Sequence, residues 1–235
     1  MNNLAAGPAP RRRIYLMRHG QVDYFDRAGT AVPREQRALS EAGREQARAA
    51  GRVLAAAGVR SDRAIASNLP RTIETAQLVL GELGSGAAIE QWPELREIEG
   101  GSLDGIADAD LEREFHGAFR GVVPEHARFL RGETFGALID RVHGALERML
   151  AGSGWDTLLL VLHGGVNRAL LSYALTGSRL YLGNFQQAPG CINVLDVGTD
   201  WVVRMVNFAP SDPAHVRTRA TTMEELLQQY RSLRR

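Results

Sequence analysis

Three short apolar runs along the chain stop abruptly at polar residues. They are residues 14–17 (Ile-Tyr-Leu-Met), residues 64–66 (Ala-Ile-Ala) and residues 157–162, in which five of six residues are Leu or Val. Short, continuous apolar runs bounded by turns are typical of strands that are buried on both faces, as in a parallel sheet. We therefore expect three buried strands, each ending at a polar turn.

Segments with helical spacing follow these runs. Apolar positions recur every three or four residues over 41–57, directly after Ser40, which is suited to an N-cap. A second helix is expected over 71–83, because Pro70 favours the first position of a helix. A third helix is expected from residue 165 to residue 175. Strands and helices thus alternate along the chain, which indicates a sheet layered by helices.

Two further patterns complete the expected architecture. Residues 192–197 and 201–206 predict a final hairpin. Residues 106–150 are mostly helical in pattern, with a break at 121–124. We predict an α/β fold: a three-layer sandwich whose mostly parallel central sheet is flanked by helices, with 106–150 as a mainly helical lid inserted over the functional site.

The expected domain organisation has three parts. Residues 1–12 predict a flexible leader, residues 13–215 a single domain, and residues 216–235 a C-terminal helix or tail. No run approaches the roughly 18 apolar residues of a membrane span. Cys191 is the single cysteine, so no disulfide can form within the chain, which suits a reducing compartment. We expect a cytoplasmic protein.

Composition excludes several kinds of chemistry. All 28 basic residues are Arg, so a Schiff-base lysine, a P-loop lysine and a Ser–Lys dyad are absent. Every fixed cation is therefore a planar guanidinium, which suits bidentate contacts with phosphate or carboxylate. The formal net charge of +1 gives no overall field for nucleic acid or a membrane surface, and we expect neither as a partner.

Residues whose side chains can bind anions or act in catalysis follow each predicted buried strand. Arg18 and His19 end the first, Arg71 comes four residues after Ser67 at the end of the second, and His163 ends the third. Ligands of open α/β sheets bind outside the carboxyl ends of the strands. Any one of these residues alone is better explained as a surface cation or a packing histidine. Together, two guanidiniums and two imidazoles at one sheet edge predict a pocket for a tetrahedral oxyanion such as phosphate.

The same segments resemble the motifs of a known family. Leu16-Met17-Arg18-His19-Gly20 is similar to the Arg-His-Gly signature of the histidine phosphatase superfamily, which includes the cofactor-dependent phosphoglycerate mutases. Five further segments resemble motifs of that family in the same order, and together they span about residues 14–175. They are 39–47 (Leu-Ser-Glu-Ala-Gly-Arg-Glu-Gln-Ala), 67–76 (Ser-Asn-Leu-Pro-Arg-Thr-Ile-Glu-Thr-Ala), 95–101 (Leu-Arg-Glu-Ile-Glu-Gly-Gly), 132–134 (Gly-Glu-Thr) and 161–171 (Val-Leu-His-Gly-Gly-Val-Asn-Arg-Ala-Leu-Leu).

The resemblance implies a phosphoglycerate mutase-like catalytic domain and a role for each candidate residue. His19 is the residue that becomes phosphorylated, Glu97 is the proton donor, and the phosphoryl oxygens are held by three residues: Arg18, Arg71 and His163. No metal and no cofactor are implied. Glu94 and Glu99 lie close enough in sequence to remain alternatives for the acid.

The resemblance also implies an activity: a metal-independent phosphatase that hydrolyses small phosphomonoesters through phosphohistidine. Gly164-Gly165-Val166 is more similar to the phosphatase branch of the family than to the mutase branch. Phosphoglycerate mutase-type phosphoryl transfer remains one alternative, and a catalytically weak phospho-ligand binding protein is another. The expected partner is a small phosphorylated molecule. The oligomeric state stays open, with a homodimer as one option.

Three local features modify this picture. Many family members have Thr or Ser, and then Asn, where this chain has Val22 and Phe25, so a polar contact to phosphate or substrate is in question. Asp108-Ala109-Asp110 resembles an aspartyl-phosphatase motif but follows no buried strand. The substrate depends on 21–38 and 106–150, neither of which contains a motif that can be interpreted. Six arginines of these stretches could meet a second acidic group, although solvated surface is the simpler role for each: Arg27, Arg34, Arg37, Arg113, Arg120 and Arg128.

Overall fold

A computed structural model of the chain describes residues 11–26, 30, 32–101, 106–217 and 219–233. Within these residues one sheet of six strands has the order β3-β2-β4-β1-β5-β6. The first four strands in this order run parallel, and β5 and β6 are antiparallel to their neighbours. The strands are β1 (Arg12–Arg18), β2 (Arg63–Ala66), β3 (Ile89–Gln91), β4 (Thr157–Leu162), β5 (Ile192–Val197) and β6 (Trp201–Phe208).

Helices cover both faces of this sheet. Alternate side chains of a strand point to opposite faces, so Leu16 of β1 packs in one hydrophobic cluster and Met17 in another. The cluster around Leu16 includes α4 and α5, whereas the cluster around Met17 includes α1 and α2. The predicted three-layer α/β fold with a mostly parallel sheet is confirmed. The helices are α1 (Glu41–Ala56), α2 (Pro70–Glu82), α3 (Asp108–His116), α4 (Phe135–Ala151), α5 (Gly164–Thr176) and α6 (Thr222–Leu233).

The sequence signals for helix starts match the structure. The Ser40 hydroxyl accepts a hydrogen bond from the Gly43 amide at 3.1 Å, which satisfies one of the free N–H groups at the start of α1. Pro70 occupies the first position of α2. The three-residue strand β3 was not predicted, because it is short and two of its residues are exposed.

The predicted lid over 106–150 divides into two parts in the structure. α4 is not a lid: its residues, among them Leu138, Ile139 and Val142, are fully buried in the cluster that contains β1 and β4. The part that covers the functional site is α3 and the turn that includes Phe129 and Leu130. The apolar face of α4 is as compatible with a core helix as with a lid, so the helical pattern alone could not separate the two.

The proposed domain boundaries remain predictions. Residues 1–10 of the expected leader lie outside the described residues, and β1 already includes Arg12. The expected C-terminal helix is present as α6. No helix in the described ranges combines the length and apolar character needed to cross a membrane.

Candidate active site

The carboxyl ends of three neighbouring parallel strands form the floor of the candidate site. In the sheet, β4 lies between β2 and β1, with Arg18 level with Leu162. The strand ends therefore bring together residues that are far apart in sequence: Arg18 and His19 after β1, Ser67 after β2, and His163 after β4. This is the convergence that the sequence predicts.

His19 presents an unprotonated ring nitrogen to this site. The imidazole is only 3% exposed, and its Nδ1 lies 2.7 Å from the Gly20 carbonyl oxygen. Arg71 Nε donates to His19 Nε2 at 3.2 Å. Because a guanidinium can only donate, Nε2 must accept, and the ring proton therefore lies on Nδ1, where it bonds to the carbonyl. Nε2 thus keeps the lone pair that a nucleophile needs.

The surroundings of His19 also keep the ring neutral. Burial, followed by the positive charges of Arg71 and Arg18, holds the pKa of His19 well below its usual value. A protonated imidazole has no lone pair at Nε2, so this shift favours the nucleophilic form at neutral pH.

Two buried guanidiniums flank His19. Arg71 is 4% exposed, and burial lowers its pKa to about 10, a shift that the carboxylate of Glu97 opposes. Arg71 therefore stays charged at neutral pH. Arg18 is 6% exposed and donates through Nη1 to the Gln187 carbonyl and, at 2.8 Å, to Thr222 Oγ1. Arg18 is thereby tied to the first residue of α6, a contact that no sequence motif indicates.

His163 is fully buried opposite His19, with the two ring centroids 5.2 Å apart. Its Nε2 lies 2.7 Å from Ser67 Oγ. Burial, followed by Arg71, holds the pKa of His163 well below its usual value. When the Ser67 hydroxyl donates to Nε2 of the neutral ring, the ring proton lies on Nδ1. Ser67 thus orients His163, a role that its place in a motif does not reveal.

Two buried polar atoms at the site lack a hydrogen-bond partner within the described part of the chain. They are Arg18 Nε and His163 Nδ1. Buried polar groups are nearly always satisfied, so an unsatisfied pair beside a nucleophile calls for an explanation. An anionic ligand between Arg18, Arg71 and His163 would accept from both atoms. The residues present fit a phosphoryl group.

Glu97 is held at the start of α5. Its Oε1 accepts from the Gly165 amide and from the Ile98 amide, both at 3.0 Å. A helix N-terminus favours negative charge, so the carboxylate is well placed there. An added Cβ at Gly165 would lie 2.5 Å from Glu97 Oε1, so a side chain at this position would displace the carboxylate.

The other two candidate acids differ from Glu97 in position. Glu94 pairs with Arg148 at 2.8 Å, and both side chains are substantially exposed. Glu99 lines the same cavity as Glu97, but it is held through its backbone: its amide donates to Glu133 Oε2 at 3.0 Å and its carbonyl accepts from the Glu133 amide at 2.8 Å. Among the three, Glu97 is the one anchored beside the residues that follow β4.

A cavity of about 440 Å³ opens above these residues. We call the part formed by Arg18, His19, Arg71 and Glu97, together with the neighbouring His163, the phosphate end. The part we call the apolar end is formed by Phe115, Phe119, Phe129, Leu130, Leu226 and Tyr230. Three more arginines line the cavity, and each donates to a backbone carbonyl: Arg34 to Glu97, Arg37 to Val32 and Arg168 to Gly164 and Gly183.

The two positions that depart from the family motif make no polar contact at the site. Val22 is buried and pairs with Leu39 in an isolated bridge. Phe25 lines the cavity. Arg27 of the same stretch lies outside the described residues. The described residues also contain no group of three or more His, Cys, Asp or Glu side chains arranged to hold a metal ion.

Comparison with known families identifies this arrangement. The family model of the histidine phosphatase superfamily (branch 1) matches residues 14–208, which include every residue of the phosphate end. The chain belongs to this superfamily. Its α6, which supplies Thr222 to Arg18, follows the matched segment.

Relatives within the histidine phosphatase superfamily include phosphatases. The chain is 31% identical to an adenosylcobalamin/alpha-ribazole phosphatase of Salmonella typhimurium over 79% of this chain and 90% of the relative. It is 28% identical to a 6-phosphofructo-2-kinase/fructose-2,6-bisphosphatase of Gallus gallus over 71% of this chain, but it spans only about a third (33%) of that protein's length. The solved structure of a mycobacterial glucosyl-3-phosphoglycerate phosphatase is 25% identical and superposes with a TM-score of 0.64, covering 83% of this chain and 98% of that one.

Proposed function

We propose that this chain is a metal-independent phosphatase that hydrolyses small phosphomonoesters through a phosphohistidine on His19. The observation that supports it best is the state of His19: Arg71 Nε donates to Nε2, and burial holds the pKa of the ring well below its usual value. A neutral imidazole has the lone pair that attack on phosphorus requires, and cations surround this one. The roles of the other residues follow from this assignment.

In the first step, the phosphoryl group moves from the substrate to His19. Nε2 forms a bond to phosphorus as the bond between phosphorus and the ester oxygen breaks, and its electron pair leaves with the oxygen. Arg18, Arg71 and His163 surround the equatorial oxygens, where negative charge is spread in the transition state. Because these donors are already in place, they stabilise that charge without reorganising. Glu97, in its protonated form, gives the leaving oxygen a proton.

In the second step, water hydrolyses the phosphohistidine. Glu97 is now a carboxylate that accepts hydrogen bonds from the amides of Gly165 and Ile98. It takes a proton from the water as the water oxygen bonds to phosphorus. The N–P bond breaks with its electron pair returning to Nε2, and inorganic phosphate is released. His19 and Glu97 are thereby restored to their starting states.

Turnover of an aryl phosphate in EDTA tests this proposal. The wild-type chain should release phosphate from p-nitrophenyl phosphate without added metal. Rapid acid-free quenching with labelled substrate should trap one phosphoryl group per chain on His19, located by peptide mass spectrometry. Loss of turnover in EDTA, or a phosphoryl group on another residue, would overturn the mechanism.

The same protein also separates the two alternatives. A mutase given 3-phosphoglycerate and a bisphosphate primer would produce 2-phosphoglycerate faster than inorganic phosphate, whereas the proposed phosphatase releases phosphate. A protein that only binds phospho-ligands would bind inorganic phosphate and vanadate in calorimetry but turn over none of these esters. We expect phosphate and vanadate to bind and to inhibit turnover.

A further inference from the structure

The cavity extends well beyond the space that a phosphoryl group needs. Its volume of about 440 Å³ lies within the range of roughly 300–1,000 Å³ typical of pockets for small-molecule ligands. A phosphoryl group has four heavy atoms, so most of the cavity is left for the alcohol to which the phosphate is esterified. The side chains around that remaining space therefore determine which alcohol fits.

Most of the apolar end packs in a hydrophobic cluster of its own, whereas Phe119 packs against the central cluster and Phe129 against both. α3, α6 and the turn at 129–130 form a small hydrophobic cluster whose members include Phe115, Leu130 and, partly buried, Leu226 and Tyr230. The rings of Phe115 and Tyr230 lie 5.9 Å apart. Packed aromatic and aliphatic side chains hold this wall in one arrangement, so the apolar surface is preformed.

The apolar end is connected directly to the phosphate end. Thr222, the first residue of α6, accepts from Arg18 Nη1 at 2.8 Å, and Leu226 and Tyr230 lie one and two turns further along the same helix. The Arg168 guanidinium lies 4.8 Å above the Phe119 ring, and Arg168 follows His163 by five residues in α5. A phosphate held by Arg18 therefore directs its ester group along α6 and toward these rings.

The chemistry of the wall selects against polar alcohols. A sugar or glycerol hydroxyl placed against aromatic and aliphatic side chains would lose its water without gaining a hydrogen bond. The charged side chains Arg34, Glu35, Arg37 and Glu99 line the cavity outside the apolar end, so both signs of charge are present there and the aromatic and aliphatic wall itself carries none of them.

We propose that the preferred substrates are phosphomonoesters of bulky apolar alcohols, whose aromatic or aliphatic group packs between α3 and α6. This inference rests on the proposed phosphatase activity and names the class of substrate for the same site. Of the two helices, α3 lies within the segment that matches the family model, and α6 follows that segment.

A series of n-alkyl phosphates from methyl to octyl tests the preference without changing the chemistry of the leaving oxygen. Because the alcohols have nearly equal acidity, differences in kcat/KM report burial of the chain. We expect kcat/KM to rise by about 4-fold for each methylene buried, until the cavity is filled. Glycerol phosphate and 3-phosphoglycerate should be slower than butyl phosphate. A flat series, or a maximum at 3-phosphoglycerate, would overturn the preference.

A substitution in α6 tests whether the alkyl group of the substrate binds at the apolar end. Leu226→Ala should reduce the ratio of kcat/KM between octyl and methyl phosphate by about 10-fold, since roughly two methylenes of contact are lost. Leu175→Ala changes an exposed leucine on α5 outside the cavity and should leave that ratio at the wild-type value. Equal ratios in the two variants would place the alkyl group elsewhere.

Binding of n-alkylphosphonates separates failure of this inference from failure of the proposed function. These compounds have no ester bond to hydrolyse, so calorimetry measures their affinity whether or not the chain is a phosphatase. Affinity that rises with chain length supports the apolar end even if no ester is turned over. Affinity that is independent of chain length in a chain that does hydrolyse phenyl phosphate would leave the phosphatase assignment intact and refute the substrate class.

Discussion

The two ends of the cavity are built in different ways. The phosphate end is assembled at the ends of three parallel strands, and Arg18 and His163 are fixed by strand register before any loop is considered. The apolar end is assembled mainly from α3, α6 and a turn, which meet through side-chain packing and through the exposed ion pair of Arg231 with Glu112. Under the proposed function, the sheet edge performs the phosphoryl transfer and the surrounding helices determine which alcohol fits.

The largest effect is expected from removing the nucleophile, a change that disrupts the phosphate end and leaves the apolar end unchanged. His19→Ala should lower kcat by a factor of about 10⁴ or more, because a nucleophile cannot be replaced by its neighbours. The same variant should still bind octylphosphonate, since the apolar end is unchanged. Steady-state kinetics and calorimetry on one preparation measure both.

The matched control for this change is His126→Ala, which alters an exposed histidine outside the cavity. It should retain wild-type turnover. If His19→Ala kept more than about one hundredth of the wild-type kcat, a nucleophile other than His19 would be required.

The sequence predicts the residues of the phosphate end better than those of the apolar end. His19, Arg18, Arg71 and His163 were predictable because strand ends are visible as short apolar runs and parallel strands end at one edge. The position of Glu97 needed the family resemblance, since three acids lie within six residues. In each case the catalytic role remains a proposal.

The apolar end could not be predicted in this way. A long stretch of chain separates Phe115 and Phe129 from Leu226, and each of the three has the spacing of an ordinary core residue. The hydrophobic pattern of a helix does not indicate which other helix that helix packs against. For the same reason, the sequence could not show that α4, expected in the lid, packs in the core. It also could not indicate the contact between Arg18 and Thr222, which only the structure shows.

The next largest effect tests whether a change at the phosphate end lowers the rate by the same factor for short and long alkyl phosphates. Arg71→Ala removes a cation from the transferring phosphoryl group and should lower kcat by about 10² to 10³. Because Arg71 contacts His19 and not the apolar wall, methyl and octyl phosphate should lose the same factor. Arg71→Lys retains the charge but not the planar fork, so it should recover only part of the loss.

Arg60→Ala serves as the control for Arg71, since Arg60 is exposed and does not line the cavity. Its kinetics should match the wild type. A loss in Arg71→Ala that grew with alkyl chain length would mean that the two ends are not independent.

A smaller effect is expected when Glu97 is displaced without being mutated. In Gly165→Ala the new Cβ would lie 2.5 Å from Glu97 Oε1 and 3.2 Å from Ile98 Cγ2, so the carboxylate must move. The rate should fall by about 10- to 100-fold for alkyl phosphates, which need a proton on the leaving oxygen. The loss should be smaller for p-nitrophenyl phosphate, whose leaving group is stable as an anion.

Gly144→Ala is the matched glycine change, because a Cβ added to Gly144 on α4 would have no atom within 4 Å beyond its own helix backbone and chain neighbours. It should keep full activity and gain up to about 1 kcal/mol of stability from the higher helix propensity of alanine. Equal losses for alkyl and p-nitrophenyl phosphate in Gly165→Ala would argue against Glu97 as the proton donor.

The smallest effect concerns stability rather than rate, and it too distinguishes the two ends. His19 and His163 have pKa values held well below the ordinary value of 6.5, chiefly by burial. As the pH falls below 6.5, the unfolded chain takes up protons at these histidines while the folded chain does not, so the free energy of unfolding decreases. Each histidine contributes at most about 1.4 kcal/mol per pH unit until its folded-state pKa is reached.

Urea denaturation between about pH 7 and pH 5 measures this slope. His163→Gln should make the slope shallower by up to about 1.4 kcal/mol per pH unit, because one of the two buried imidazoles no longer titrates in the unfolded state. Leu226→Ala should lower stability by a similar amount at every pH, since burial of an apolar side chain does not depend on protons. The phosphate end therefore makes the fold sensitive to acid, whereas the apolar end stabilises it independently of pH. An unchanged slope in His163→Gln would mean that the buried histidine is not the source of that sensitivity.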